Sequence, residues 1–260
     1  MGLYEPISGV KRFSLNSRVS GQELTYKDRR GSIKTIIRPG GHVPKTGLYL
    51  CDNIGKFLDN KTVLDLGTGE TAIIALFAAL KGAKNVIGSD IKNQVVTLAR
   101  ENVIHNKMIN NVEIRLSDLF THIHESFDVI ISNPPQMPML HKAIHDSGGV
   151  NGREIIERII HDSPSHLNPG GKLIMLLFDF LGVEDNFNNE PSIFEVMNTH
   201  GLQPSLVAKQ KRFPSESGQT YKSFAHIKQL FPKYKFQMDK SGRPFHYIFV
   251  VKGELHKKTI

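Results

Sequence analysis

The chain has 260 residues, 39% hydrophobic and 8% aromatic, and its 33 Lys and Arg against 25 Asp and Glu give a formal charge of +8. These proportions exclude wholesale disorder, and no apolar run reaches the roughly 20 residues that span a bilayer. Cys51 is the single cysteine, which excludes an internal disulfide or a multi-cysteine metal site and fits a reducing, cytoplasmic setting.

At the N-terminus, MGLYEPISGVKRFS has no apolar core of the kind a secretory signal needs, and Pro6 stands where a myristoylation motif takes Ser or Thr. Residues 23–26 and 33–37 flank the polar turn 27–32, a pattern that predicts a β-hairpin within an N-terminal extension, residues 1–44. From residue 45 to 260, strand-like and helix-like stretches alternate, as in a parallel sheet covered by helices. The expected strands are 62–66, 85–90, 112–116, 127–132, 172–178, 205–209 and 246–251. Helical spacing of apolar residues marks 72–81, 94–106, 153–166 and 192–200. Asn168-Pro169-Gly170-Gly171 predicts a break before the fifth strand. Residues 214–244 read as an element inserted between the last two strands, with a helix near 223–231. The predicted class is α/β: a Rossmann-like, seven-stranded, mostly parallel sheet with helices on both faces, preceded by the hairpin. The twelve histidines, His122 and His124 among them, show no metal-ligand spacing, and no metal is expected.

Val63-Leu64-Asp65-Leu66-Gly67-Thr68-Gly69-Glu70-Thr71-Ala72 runs from a buried strand into a helix. Its glycines make a tight turn and let a ligand approach the backbone. Gly67, Gly69 and Ala72 also satisfy the dinucleotide fingerprint. A pyrophosphate at that helix N-terminus, however, would meet the repulsive carboxylates of Asp65 and Glu70. S-adenosylmethionine has no phosphate and carries a sulfonium and an ammonium, so an acidic strand end attracts it. Asp90, at the tip of the next strand, has the position and the acceptor oxygens to hold both ribose hydroxyls, and Ile91 would pack on the adenine face. Asp118, followed by Leu119, has a carboxylate suited to the adenine amino group; a helix cap is the other reading of that acid.

In Phe127-Asp128-Val129-Ile130-Ile131-Ser132-Asn133-Pro134-Pro135-Gln136 an apolar strand is stopped by two prolines, which lack N–H donors and fix φ. Carbonyls then point out of the strand end, and Asn133 adds another, a set of acceptors suited to a planar NH₂ group. These residues resemble the amino methyltransferases with an N-P-P-Y motif, and most of all the release-factor glutamine methyltransferase (HemK-like) family. Asp65–Gly69, Asp90, Asn133-Pro134-Pro135 and Asp146-Ser147-Gly148-Gly149-Val150-Asn151-Gly152, which is similar to the family's D-G-G-x-D-G, carry the likeness. It implies transfer to a glutamine amide of a protein, with Asn133, Pro134, Pro135 and Gln136 at the acceptor. Gln136 departs from the family's aromatic, Ser147 and Asn151 replace a Gly and an Asp, and the family's helical N-terminal domain has no counterpart.

Three other readings stay open. The positive charge and the interleaved basic and aromatic residues between Lys209 and Arg243, including Tyr234 and Phe236, suit a nucleic-acid base-amine methyltransferase. The same residues also fit a solvated basic face with its aromatics turned inward. A small-molecule acceptor and a non-catalytic S-adenosylmethionine-binding module complete the alternatives.

Overall fold

The computed structural model describes residues 13–18, 21–139, 147–214 and 219–256. Pro6 of the N-terminal motif and Asp146 of the 146–152 stretch lie outside them. The chain divides into two compact units, residues 1–132 and 133–260.

The first unit opens with β1 (Phe13–Arg18), β2 (Gly21–Asp28) and β3 (Gly31–Ile37), an antiparallel sheet in the order β1-β2-β3. Strands β2 and β3 form the hairpin, and β1 adds a third strand. Alternation buries Leu24 and Tyr26 of β2 and Ile33 and Ile37 of β3. The Tyr26 ring meets Phe77 edge-on at 5.2 Å, which ties this sheet to the helices that follow.

Those elements are α1 (Lys45–Ile54), β4 (Thr62–Leu66), α2 (Ile73–Leu80), β5 (Asn85–Asp90), α3 (Asn93–His105), β6 (Val112–Leu116) and β7 (Phe127–Ser132). The strands are parallel in the order β7-β4-β5-β6. Val63, Leu64, Ile130 and Ile131 are wholly buried, as expected of strands covered on both faces. Helix α2 is apolar throughout, and its residues 73–78 are all buried.

Strand β3 leaves one edge outside the β2 ladder, and α3 completes it. Asn106 accepts from Lys34 N (2.8 Å) and donates to Lys34 O (2.7 Å). One turn earlier, Asn102 accepts from Ile36 N (2.7 Å) and donates to Ile36 O (3.3 Å). The two side-chain amides thus do for β3 what a fourth strand would do.

The second unit contains α4 (Glu154–Asp162), β8 (Leu167–Phe178), α5 (Ile193–Thr199), β9 (Leu202–Arg212), α6 (Gln219–Lys222), α7 (Phe224–Leu230), β10 (Gln237–Met238) and β11 (Pro244–Leu255). Strand β11 lies antiparallel between β8 and β9, and β10 pairs with its start. A capping box starts α5: Ser192 Oγ accepts from Glu195 N, and Glu195 Oε2 accepts from Ser192 N. The break expected at 168–171 falls inside β8, yet the ladder with β11 begins only at Lys172, paired with Glu254. Gly170 before it has φ +76°, so the turn chemistry bends the strand's first residues without ending it. Between β9 and β11, Ile227, Phe231, Tyr234 and Phe236 turn inward, whereas Lys233 and Lys235 face solvent. The fold class is the α/β, Rossmann-like one expected.

Candidate active site

In the first unit, the carboxyl ends of β4, β5 and β6 carry Asp65, Asp90 and, two residues past the strand, Asp118. Ligands of open α/β sheets bind outside such strand ends. Beyond β4 the chain turns through Gly67 (φ +76°) and Gly69 (φ +66°), both in the left-handed region. A Cβ at either glycine would strain the backbone, and it would project into open space. Gly67 N and Thr68 N both donate to Ser89 O (2.9 and 2.8 Å), fixing the loop against β5. Gly88 lets Thr68 come this close, since a Cβ there would stand 2.9 Å from Thr68 Oγ1 and 2.7 Å from Ile114 Cδ1.

Asp65 is fully buried under this loop. Its Oδ2 accepts from Thr68 Oγ1 (2.7 Å) and from Ala75 N (3.1 Å) in the first turn of α2. Its Oδ1 has no partner among the described residues. Burial pushes the carboxyl up to about 7; the Thr68 hydroxyl and the Ala75 amide pull it down, and the charge of Asp90 pushes it further up. Asp90 bridges outward: Oδ2 accepts from Gly69 N (3.3 Å) and Oδ1 from Lys92 N (3.1 Å). Beside it Ile91 is 60% exposed, an apolar side chain in water next to the acid. Asp118 is half-buried, and Leu119 after it is left-handed, with its carbonyl held by Ser117 Oγ at 2.8 Å. Glu70, read from the sequence with the donor loop, sends its carboxylate toward Gly41. Its carbonyl accepts from Asn102 Nδ2 (2.9 Å), so the asparagine that closes β3 also holds the glycine loop. Nothing in the local sequence around Asn102 announced that role.

Ser132 closes β7 beside Leu66 and donates through Oγ to Leu66 O (2.8 Å). Asn133 is the next residue along the chain.

In the second unit, Asn133 is half-buried, Pro134 buried and Pro135 exposed. Gln136 is buried, and both ends of its amide are engaged. Nε2 donates to Leu176 O (2.9 Å) and Pro134 O (3.3 Å), while Oε1 accepts from Phe178 N (2.8 Å). The side chain that replaces the resembling family's aromatic therefore bonds β8 and fixes the proline turn. The 147–152 stretch packs on this segment backbone to backbone. Gly148 N donates to Met137 O (3.0 Å), and Met139 N donates to Gly149 O (3.0 Å). A Cβ at Gly148 would lie 2.6 Å from the Gln136 Cα, and one at Gly152 would lie 2.7 Å from the Gln136 carbonyl. Asp179, which the sequence reading missed, accepts from Tyr234 Oη (3.0 Å) and Tyr247 N (2.9 Å), anchoring the element between β9 and β11. Among the described residues no group of His, Cys, Asp or Glu could hold a metal ion, and no helix is long and apolar enough to cross a membrane.

The model of the methyltransferase small domain matches residues 45–202. A Methanocaldococcus jannaschii protein, whose name proposes a protein N5-glutamine methyltransferase, is 39% identical over 175 residues, 63% of this chain and 86% of its own. The release factor glutamine methyltransferase of Rhodopirellula baltica is 36% identical over 130 residues, 45% of this chain and 44% of its own, so the chain spans less than half of that relative. Among solved structures, the ribosomal protein L11 methylase of Lactobacillus delbrueckii subsp. bulgaricus shares the fold, with a TM-score of 0.51 at 21% identity over 84% of this chain and 82% of that one. With the family's model covering more than half of its residues, the chain belongs to the methyltransferase small domain family and is an S-adenosylmethionine-dependent methyltransferase.

Proposed function

We propose that this enzyme methylates a side-chain amide nitrogen of a glutamine in an acceptor protein of translation. The observation that carries this reading is the turn after β7. Asn133 is half-buried, and the Pro134 carbonyl is oriented by Gln136, whose own amide is held by β8. The names of the Methanocaldococcus and Rhodopirellula relatives support the acceptor class.

The donor fits the first unit. The open space over Gly67 and Gly69 leaves room for its methionine part, and the unpartnered Oδ1 of Asp65 leaves negative charge to oppose a cation. When bound, S-adenosylmethionine supplies an electrophilic methyl group on a sulfonium. Asp65 and Glu70 supply the negative field, and Gly67, Thr68 and Gly69 the close backbone. The Asp90 carboxylate would take the ribose hydroxyls, Ile91 would lie on the adenine face, and Asp118 with Leu119 would hold the adenine edge.

An amide nitrogen is a poor nucleophile because its lone pair is delocalised. The Asn133 side-chain carbonyl and the Pro134 carbonyl each accept one N–H of the glutamine amide, which fixes its plane and raises electron density on nitrogen. Orientation and preorganised dipoles then carry the acceleration. Pro135 rigidifies the turn and Gln136 positions it. The nitrogen would gain the methyl carbon as the sulfonium's S–CH₃ bond breaks, leaving S-adenosylhomocysteine, and would lose a proton to water, so no protein base is needed.

Radiolabelled donor incubated with a cell extract, then fractionated, tests the reading. Label in protein, mapped to a glutamine and absent with Asn133→Ala while donor affinity is retained, is the expected result. Label confined to nucleic acid or small molecules, or turnover surviving in Asn133→Ala, refutes it.

A further inference from the structure

The segment from the end of β9 to the start of β11 carries a charge that methyl transfer does not explain. Residues 209–243 hold nine Lys and Arg against Glu216 and Asp239, a formal +7 out of the chain's +8. The acid described there, Asp239, is occupied, since its carboxylate accepts from Ser241 N (2.8 Å), Ser241 Oγ (2.7 Å) and Arg243 N (2.9 Å).

Alternate residues of β11 put three rings on one face. Phe245 and Tyr247 lie 5.7 Å apart, and Tyr247 and Phe249 are stacked at 6.4 Å with planes 30° apart. Phe213, just past β9, extends the row at 5.8 Å from Phe245. In register across the ladder, Lys211 faces Tyr247 and Lys209 faces Phe249. Cations cover the rings: Lys211 Nζ is 3.8 Å from the Phe245 centroid, Lys209 Nζ 5.3 Å from that of Tyr247, and Arg243 Cζ 4.5 Å from that of Phe213. Tyr247, Phe249 and Phe213 are only partly buried, while Lys209, Lys211 and Arg243 are exposed. Lysines alone would serve to guard an edge strand against pairing with another chain. That role does not call for a row of partly exposed rings between them.

We propose that this face binds single-stranded RNA, with phosphates on Lys209, Lys211 and Arg243 and bases stacked on Tyr247 and Phe249. Rings accept any base and cations track the backbone, so the binding is tolerant of sequence. The choice of RNA rests on the acceptor reading above, which places the enzyme's work in translation; the ring-and-cation chemistry is independent of it.

Fluorescence anisotropy with a labelled 12-nucleotide oligouridylate tests the proposal without any methyl acceptor, so its failure is separable from failure of the acceptor reading. Three neutralised phosphates predict a slope of log affinity on log salt near −2, at about −0.7 each. Lys209→Gln with Lys211→Gln should flatten that slope to about −0.7, and Lys209→Arg with Lys211→Arg should restore it. Tyr247→Leu should weaken binding roughly tenfold with the slope unchanged. Donor binding by calorimetry should be the same in every variant, which reports that each is folded. No binding at low salt overturns the proposal, as do affinities indifferent to these substitutions. Preference for a DNA 12-mer, for duplex RNA or for anionic vesicles overturns it as well.

Discussion

Asp65 makes stability and donor binding pull against each other, and Asp65→Asn exposes the conflict. Its carboxyl is raised from the ordinary 3.8 to about 7, chiefly by burial. An acid raised in the folded state favours folding in its neutral form. That contribution is complete below pH 3.8, falls as pH rises toward 7, and is gone above it. The shift amounts to about 4 kcal/mol, at 1.36 kcal/mol per unit. In Asp65→Asn the amide oxygen keeps the bonds from Thr68 and Ala75, and the NH₂ takes the place of the unpartnered Oδ1. A buried donor without a partner costs about 1–3 kcal/mol. The variant should therefore be more stable than the parent at pH 8, by about 1–3 kcal/mol, and less stable at pH 4. Urea denaturation of the donor-free protein at both values, read by circular dichroism, measures the crossover. Donor affinity of the parent should fall as pH drops below 7, with a proton released on binding, and the variant should lose both properties. Equal destabilisation of the variant at pH 4 and pH 8 would refute the burial argument.

The other predictions concern packing and the proline turn. Gln136→Leu removes the partners of Leu176 O and Phe178 N and should cost about 2–4 kcal/mol, lowering the thermal midpoint by roughly 4–15 °C. It should also reduce kcat more than it weakens donor binding, a split that steady-state kinetics beside calorimetry would reveal. Gly88→Ala drives a methyl toward Ile114 and Thr68 and should cost about 1–3 kcal/mol, with weaker donor binding as the loop is pushed off β5. A Gly88→Ala protein with parental stability and affinity would contradict the close packing described.

How much the sequence revealed depended on where each residue's partners lie. Strands β4 to β7 fall where the apolar runs predict, because burial on both faces writes a continuous signal between polar turns. Strands β8, β9 and β11 extend well beyond the apolar runs. Lys211 of β9 and Glu254 of β11 are polar residues of these extensions, held by antiparallel pairing rather than by burial, whereas residues 167–171 of β8 precede its ladder with β11. Strand β1 carries only a short alternating signal, Phe13-Ser14-Leu15-Asn16, and is held by pairing with β2. At the site, Asp65, the glycines and Asp90 are neighbours of strand ends and could be read in order. Gln136 could be read only as a missing aromatic, because its partners at 176 and 178 lie 40 and 42 residues on. Asp179 and Asn102 act through contacts of the same long-range kind, which no local pattern encodes.

Asn102 of α3 and Asn106, which caps its C-terminus, make the small N-terminal sheet a dependent part rather than a portable one. An ordinary appended hairpin can be gained, lost or exchanged between proteins, because its outer edge makes no commitment to the domain it joins. Here Asn106 and Asn102 commit that edge, and Asn102 commits it twice, to Ile36 and to the Glu70 carbonyl. A chain that lost β3 would strand a buried amide and slacken the glycine loop at once. A chain that changed Asn102 would loosen the appended sheet and the loop together. Appendage and donor loop are thereby coupled through one side chain, so that a change in either is felt by the other.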